Sequence, residues 1–198
     1  GFLIAGRPKD FSVSAKLGKD EIFVIEADEY DTAFFDKRAK LIHYNPEVLI
    51  INNLEFDHGD IYSNLTEIQK QFHNLIRTMS SEDCIVFPGD DKNIREVLDL
   101  GVWSKEVEFG IEGNSSNYFE AIKKDHSSVR FSINKKVVEI NWNLLGEHNA
   151  RNAITALLAL QHFNLSLSDS AKCLESFSGV KRRLDTIIDR KDLKLFDD

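Results

Sequence analysis

The stretch VLIINNLEFDHGDIYSNLTEIQKQFHNLIRTMSSEDCIVFPG, residues 48–89, decides the fold. Its two ends, residues 48–52 and 84–87, are short runs rich in β-branched residues, which are typical of buried strands, and Pro88 and Gly89 stop the second. Between them, apolar residues recur at helical spacing: Leu65, Ile68, Phe72, Leu75, Ile76 and Met79. The pattern predicts an amphipathic helix that crosses over between two parallel strands, a βαβ unit.

Similar patterns extend outward from this unit. Residues 22–26 form another apolar run, which predicts a third buried strand. Residues 118–145 contain three alternating segments, YFEAIKK, VRFSIN and VVEINWN, which predict an antiparallel meander. Apolar residues at helical spacing predict three further helices: residues 91–100, 149–162 and 168–177. The fold class is therefore α/β, a mostly parallel sheet flanked by helices, with an antiparallel β insert.

The chain changes character after Gly179. The basic segment KRRLD, residues 181–185, leads into DTIIDRKDLKLFDD, which predicts a hairpin that opens a new α/β domain. We therefore predict one domain over residues 1–178 and the beginning of a second over 179–198. The first residues, GFLIAGRPKD, are neither a signal peptide nor a natural initiator, so we expect a piece of a longer protein.

The composition argues against several classes of function. The 198 residues are 42% hydrophobic, enough for one substantial core, and their net charge is −8. No run of Lys and Arg is dense enough to neutralise a row of phosphates, which disfavours nucleic-acid and membrane-surface binding. The two cysteines, Cys84 and Cys173, lie far apart, and no apolar stretch approaches the roughly 20 residues that cross a bilayer. We expect a cytoplasmic protein, and its oligomeric state is left open.

Two acidic blocks follow predicted strands. They are FVIEADEYD, residues 23–31, and NNLEFDHGD, residues 52–60, which includes His58. Parallel strands bring their carboxyl ends to one edge of a sheet, and an oxygen-rich set of ligands there suits magnesium or manganese. The alternatives are that these acidic clusters are solvated loops, and that His58 caps a helix or lies in the core.

Two further polar segments are GEHNARN, residues 146–152, and KRRLD. Asn149 of the first could simply cap a helix, with Asn152 one turn later. Arg182 and Arg183 of the second are either ordinary solvated charges or phosphate ligands, because the planar arginine fork suits phosphate. These separate interpretations leave unexplained why all four blocks occur in one chain.

Taken in order, the four blocks resemble the Mur ligase family, ATP-dependent ligases that build the peptide stem of the bacterial cell wall. The resemblance covers essentially the whole chain and implies the central ATP-binding domain without its beginning, followed by the first strands of the C-terminal ligase domain. Residues 26–60 are most similar to members that join UDP-N-acetylmuramate to the tripeptide L-alanyl-γ-D-glutamyl-meso-diaminopimelate in peptidoglycan recycling. Members that add L-alanine to the same nucleotide sugar remain an alternative, as does a non-catalytic nucleotide- or metal-binding module.

The resemblance implies a two-step reaction with ATP and Mg²⁺. The lactyl carboxylate of UDP-N-acetylmuramate takes the γ-phosphoryl group to give an acyl phosphate, which the amine of the tripeptide then attacks. Glu26 and His58 match the family's magnesium ligands, and Arg183 matches an arginine at the interdomain junction that reaches ATP. These three are the expected catalytic residues. The sequence has no GxSxG or Cys/His pattern, so we expect catalysis by positioning and electrostatics rather than by a nucleophile.

Other nucleotide contacts are implied in the same way. Asn149 and Asn152 match asparagines beside adenine and ribose, and Asp198 matches the second aspartate of a DD motif on the nucleotide side of the C-terminal domain. The family's GxxGKT phosphate loop does not occur in these residues, so we expect it upstream and expect the chain alone to be inactive. His73 stands where several members carry a carbamylated lysine, and it is either a partner of the metal site or a buried histidine.

Overall fold

The computed structural model describes residues 1–57, 59–111, 113, 115–182, 185–190 and 192–197. The chain forms two compact units: a first unit of Gly1–Glu26 with Ser176–Asp198, and a second unit of Ala27–Glu175. In the described part, no helix is both long and apolar enough to cross a membrane. The predicted domain division at residue 178 stays a prediction.

The strands are numbered along the chain. They are β1 (Phe2–Leu3), β2 (Ala15–Lys16), β3 (Val24–Ile25), β4 (Asp31–Ala33), β5 (Asp36–Ala39), β6 (Val48–Ile50), β7 (Cys84–Pro88), β8 (Lys105–Ile111), β9 (Tyr118–Ala121), β10 (Ser128–Ile133), β11 (Lys136–Asn141), β12 (Asp185–Asp189) and β13 (Lys194–Asp197). The helices are α1 (Leu65–Ile76), α2 (Lys92–Asp99), α3 (Glu147–His162) and α4 (Leu167–Ser176), with a short 3₁₀ helix at Lys40–His43.

The second unit is built on a six-stranded sheet in the order β11-β10-β9-β8-β7-β6. β6, β7, β8 and β9 pair in parallel, whereas β9, β10 and β11 pair antiparallel. The predicted βαβ unit is confirmed, because α1 connects the parallel neighbours β6 and β7. The predicted antiparallel insert is also confirmed, and it continues the parallel sheet rather than forming a separate one. The fold class is therefore α/β, as the sequence predicts.

Side chains of β7 alternate between two hydrophobic cores, one on each face of the sheet. Cys84 and Val86 belong to the core that includes α3 and α4, and Ile85 and Phe87 to the core that includes α1 and α2. All four are at most 2% exposed. Burial on both faces is the usual state of a parallel strand between helical layers. This burial on both faces fixes the position of β7 and, with it, that of Asp90 and Asp91 just after the strand.

The first unit contains a three-stranded sheet in the order β2-β1-β3 and the separate β12–β13 hairpin. The hairpin predicted after Gly179 is confirmed, whereas the new domain that it was expected to open stays a prediction. The prediction of a buried strand over residues 22–26 is wrong: β3 covers only Val24 and Ile25, which are 56% and 37% exposed. β3 is an edge strand of a sheet whose strands have two residues each, too short to present a buried face. β3 and β6 belong to different sheets, each within its own unit, and the expected edge shared by the two acidic blocks stays a prediction.

Candidate functional site

Polar residues of the second unit meet where β6 and β7 end. Asn52 follows β6, and α3 supplies Asn152, one of the predicted nucleotide residues. Nδ2 of Asn52 donates a hydrogen bond to Oδ1 of Asn152 at 3.2 Å, although the two residues are 100 positions apart. The contact places the amides of two different elements together at the carboxyl edge of the sheet, where ligands of open α/β sheets bind.

Asn149 lies inside the first turn of α3. The helix begins at Glu147 after Gly146, whose φ of 89° requires a residue without a Cβ, and no side chain caps the helix. Nδ2 of Asn149 donates to the carbonyl of Leu145 at 2.7 Å and lies 3.0 Å from Nε2 of His148. The alternative that Asn149 is a helix cap is therefore wrong. Its amide instead satisfies a carbonyl of the segment that enters the helix.

Arg151, between the two predicted asparagines, ties the start of α3 to the end of β7. Its NH1 and NH2 donate to Oδ1 and Oδ2 of Asp90 at 3.1 and 2.7 Å, and its Nε donates to Oε1 of Glu147 at 2.8 Å. The hydrogen bond from Arg151 lowers the pKa of Asp90 below its usual value. Asp90 is thus an anion with a fixed partner, and the sequence interpretation missed both members of this pair.

The loop after β6 is held by the start of α2. Oδ2 of Asp91 accepts from the backbone N–H of Leu54 at 3.1 Å, and Nδ2 of Asn93 donates to the carbonyl of the same residue at 2.7 Å. Oδ1 of Asp91 also caps α2, accepting from the N–H groups of Asn93 and Ile94 at 2.9 and 3.1 Å. The backbone N–H and carbonyl of Leu54, two positions after Asn52, are therefore both hydrogen-bonded to side chains.

A cavity of about 480 Å³ opens between these elements. Its lining is dominated by amides, carboxylates and two cations: Asn52, Asn53, Leu54, Glu55, Pro88, Asp90, Asp91, Lys92, Asn93 and Arg151. The volume falls in the range of small-molecule sites. The lining can donate and accept hydrogen bonds from several directions, which suits a ligand with both kinds of group.

Glu26, the predicted metal ligand of the first acidic block, belongs to the first unit. It directly follows β3 and is exposed. Its Oε2 accepts from the backbone N–H of Ala5 at 2.8 Å, and its own N–H donates to the carbonyl of Leu3 at 2.9 Å. The carboxylate is therefore oriented by one hydrogen bond, and Oε1 accepts none within the described residues of the first unit.

Three predicted site residues, His58, Arg183 and Asp198, lie outside the described residues. Their predicted roles as metal ligand, ATP contact and nucleotide contact stay predictions. Within the described ranges, no group of three or more His, Cys, Asp or Glu side chains could hold a metal ion. His73 of α1 is half-buried, and neither of its two predicted roles is tested.

Other carboxylates of the first acidic block have lysine partners. Oδ2 of Asp28 lies 2.9 Å from Nζ of Lys40, and Oδ2 of Asp31 lies 2.7 Å from Nζ of Lys37 across the β4–β5 hairpin. Asp31 and Lys37 also line a second cavity of the second unit, of about 590 Å³ and mixed charge. Part of the acidic block therefore forms surface ion pairs, which neither the metal interpretation nor its alternative predicted.

The chain matches the family model for the Mur ligase middle domain over residues 8–160. It is 42% identical, over its whole length, to the UDP-N-acetylmuramate–L-alanyl-γ-D-glutamyl-meso-2,6-diaminoheptandioate ligase of Haemophilus influenzae, of which it covers 44%. It is 31% identical over 96% of its length to the UDP-N-acetylmuramate–L-alanine ligase of Fusobacterium nucleatum, of which it covers 40%.

Among solved structures, the murein peptide ligase from Psychrobacter arcticus aligns with all of this chain at 37% identity and a TM-score of 0.82, and the chain covers 45% of that protein. The chain thus spans less than half the length of each of these three relatives. The family model matches most of the sequence, and the predicted family is confirmed. The chain belongs to the Mur ligase family.

Proposed function

We propose that this chain is the nucleotide-binding part of an ATP- and Mg²⁺-dependent ligase that joins UDP-N-acetylmuramate to L-alanyl-γ-D-glutamyl-meso-diaminopimelate. The observation that carries the proposal is the 42% identity, over the whole chain, to a relative whose name contains both substrates. The identity to a ligase for L-alanine is 31%. We place the enzyme in the cytoplasm, in peptidoglycan recycling, with residues 1–178 in its central domain and 179–198 opening its C-terminal ligase domain.

The asparagines of α3 fit a nucleoside. Oδ1 of Asn152 already accepts from Asn52, and Nδ2 of Asn149 already donates to Leu145. Within the described residues, Nδ2 of Asn152 donates no hydrogen bond and Oδ1 of Asn149 accepts none. The two side chains therefore offer a ligand one donor and one acceptor. Adenine presents both an amino donor and ring-nitrogen acceptors, which asparagine can engage together. We assign Asn149 and Asn152 to the adenine and ribose side of ATP; Asn152 contacts Asn52, which lines the 480 Å³ cavity.

Glu26 fits a magnesium ligand by the chemistry of its donor. Magnesium usually takes one or two protein carboxylates and completes its shell with water and substrate phosphates, so a cluster of three protein ligands is not required. The N–H of Ala5 holds Oε2 of Glu26, and Oε1 accepts no hydrogen bond in the described part of the first unit. We assign the metal to Glu26 and His58, and contacts with ATP to Arg183 and Asp198.

The protein's own part in the reaction is orientation and electrostatics. ATP would supply the γ-phosphoryl group to the lactyl carboxylate with release of ADP, and the tripeptide amine would then displace inorganic phosphate to form the amide. No side-chain nucleophile is needed, and Cys84 does not offer one because it is 2% exposed and burial raises its thiol pKa to about 11. The residues of this chain hold the nucleotide in line with the acceptor carboxylate.

Calorimetry tests the nucleotide and metal assignments. The protein is expressed with all of the coding sequence around these 198 residues, and binding of a non-hydrolysable ATP analogue is measured with and without magnesium. We expect Glu26→Ala and His58→Ala to lose magnesium-dependent binding, whereas Glu21→Ala, a matched exposed glutamate five positions away, keeps it. Unchanged binding in both of the first two variants would sink the metal assignment.

Product analysis tests the substrate. The same protein is incubated with ATP, magnesium and UDP-N-acetylmuramate, and with either the tripeptide or L-alanine as the amine. Mass spectrometry is expected to detect the tripeptide product and only a trace of the L-alanine product. Preference for L-alanine would support the sibling activity, and nucleotide binding without either product would support a non-catalytic module.

A further inference from the structure

Arg151 has a position in the fold that the proposed roles of its neighbours do not explain. Its guanidinium uses Nε, NH1 and NH2 on two carboxylates, Glu147 within α3 and Asp90 after β7. The pair with Asp90 is bidentate, the geometry that the planar arginine fork allows and a lysine ammonium does not. Arg151 lies directly beside Asn152 in sequence and lines the same cavity as Asn52.

The start of α3 is therefore fixed at two points. Arg151 pairs with Asp90, which follows β7, and Asn152 accepts from Asn52, which follows β6. These adjacent helix residues thus contact the ends of two adjacent parallel strands. The helix has no side-chain cap at Gly146, and within its first turn Asn149 donates to the carbonyl of Leu145. The Arg151–Asp90 pair thus lies one residue from the amide of Asn152.

We propose that Arg151, together with Asp90, is a positioning residue for the nucleoside part of the nucleotide. The pair holds the first turns of α3 so that the Asn152 amide stays against Asn52 at the cavity. The inference rests on the proposed function, because it takes Asn152 as a nucleoside contact. It adds a role for two residues that do not themselves contact the phosphates.

The pair's exposure separates this role from a merely structural one. The side chains of Arg151 and Asp90 are 25% and 58% exposed. Ion pairs with this much solvent contact contribute little to global stability. A change in the pair is therefore expected to alter the geometry of Asn152 more than the stability of the fold. Affinity for the nucleoside should fall, while affinity for a triphosphate without a nucleoside should not.

The test measures binding of two ligands by calorimetry, a non-hydrolysable ATP analogue and inorganic tripolyphosphate, each with magnesium. The protein again carries all of its surrounding coding sequence. The variants are Arg151→Lys, which keeps the charge but loses the fork, Asp90→Asn, and the two combined. The matched control is Arg130→Lys, which alters an exposed arginine that donates Nε and NH2 to Glu139 across β10 and β11, away from α3.

We expect Arg151→Lys and Asp90→Asn each to weaken binding of the ATP analogue about fivefold to tenfold, roughly the contribution of one hydrogen bond. Tripolyphosphate affinity should stay at the parent value, and the thermal midpoint should fall only slightly because the pair is partly exposed. The double variant should lose no more than the larger single loss, since both changes break one pair. Arg130→Lys should match the parent for both ligands.

Several outcomes would overturn the inference. Parent-like affinity of Arg151→Lys for the ATP analogue would show that the pair does not position the nucleoside contact. An equal loss for both ligands would assign Arg151 to the phosphates or to the fold. Additive losses in the double variant would show that Asp90 and Arg151 act separately. Failure of the parent protein to bind the ATP analogue would instead overturn the proposed function itself.

Discussion

Asp91 links the loop after β6 to the start of α2, and replacing it should destabilise the second unit. Its Oδ1 accepts hydrogen bonds from the backbone N–H groups of Asn93 and Ile94 at 2.9 and 3.1 Å. Its Oδ2 accepts one from the backbone N–H of Leu54 at 3.1 Å. Leu54 is 4% exposed, so no water replaces a lost partner easily. Asp91→Ala removes all three hydrogen bonds at once.

The expected cost has two parts. Removal of an Asp cap from a helix costs about 1 kcal/mol. A buried N–H left without a partner costs about 1 to 3 kcal/mol more. Together, Asp91→Ala should lower the free energy of unfolding of the second unit by about 2 to 4 kcal/mol.

Urea unfolding followed by tryptophan fluorescence measures this quantity. The chain has two tryptophans, Trp103 and Trp142, and both belong to the second unit, so the signal reports that unit. Two variants separate the parts of the cost. Asp91→Asn keeps an acceptor that caps α2 but turns an amide N–H₂ toward the N–H of Leu54. Asn64→Ala removes only one cap hydrogen bond of α1, the one from the N–H of Glu67 at 3.1 Å.

The expected order of stability loss is Asp91→Ala, then Asp91→Asn, then Asn64→Ala at about 1 kcal/mol. Hydrogen exchange of the Leu54 amide should accelerate in both Asp91 variants and stay at the parent rate in Asn64→Ala. If Asp91→Ala costs no more than Asn64→Ala and Leu54 exchanges at the parent rate, Asp91 does not hold the loop.

Three further results are expected. In the folded chain, a thiol reagent at pH 8 should label exposed Cys173 but not Cys84, because burial shields that thiol and raises its pKa to about 11; fast labelling of both in the native state would contradict this. The Arg151 hydrogen bond lowers the pKa of Asp90, so the stability that the pair adds is present above the unfolded pKa of about 3.9 and is lost as pH falls through the lower folded pKa. The small difference in thermal midpoint between parent and Asp90→Asn should shrink accordingly in melts below pH 4; a constant difference from pH 7 to pH 3 would argue against the pair. Phe131→Ala should cost about 3 to 5 kcal/mol in urea unfolding because the ring is fully buried; a cost under about 1 kcal/mol would mean that this core is loosely packed.

The βαβ unit was predictable because its signals are strong and local. α1 has a clear apolar face and begins at Asn64, whose side chain accepts from the N–H of Glu67. β7 is apolar at each position and is followed by a turn glycine, which fits a strand buried on both faces. In such segments the local pattern and the tertiary environment favour the same structure.

Elements with charged or mixed sequences were missed. β8, KEVEFGI, carries three charged residues within its first four positions, and apolar periodicity does not single it out as a central strand. The β4–β5 hairpin mixes apolar residues with charges of both signs and is closed by ion pairs such as Lys37–Asp31. The opposite error occurred at β3, where the apolar residues Val24 and Ile25 are largely exposed. Apolar content alone did not decide burial, because the neighbouring elements decide it.

For the candidate site, the sequence identified single residues but not their partners. Resemblance to a known motif pointed to Asn152, yet nothing local pointed to Asn52, 100 positions away. The Glu147–Arg151 pair has i,i+4 spacing and could have been inferred, whereas the Asp90–Arg151 pair spans 61 positions and could not. Contacts between elements depend on the order of strands in the sheet, which one sequence does not reveal.

The partners change the interpretation of the edge of the second unit. Its two carboxylates after β7 are engaged, Asp90 by Arg151 and Asp91 by three backbone N–H groups. These hydrogen bonds hold Asp90 against Arg151 and Asp91 at the start of α2. The amides of Asn52 and Asn152 instead offer donors and acceptors without net charge, which suits a nucleoside. The contacts beside β6 and β7 therefore favour the proposed nucleoside contact at this edge, and the assignment of the metal to Glu26 and His58 stays a prediction.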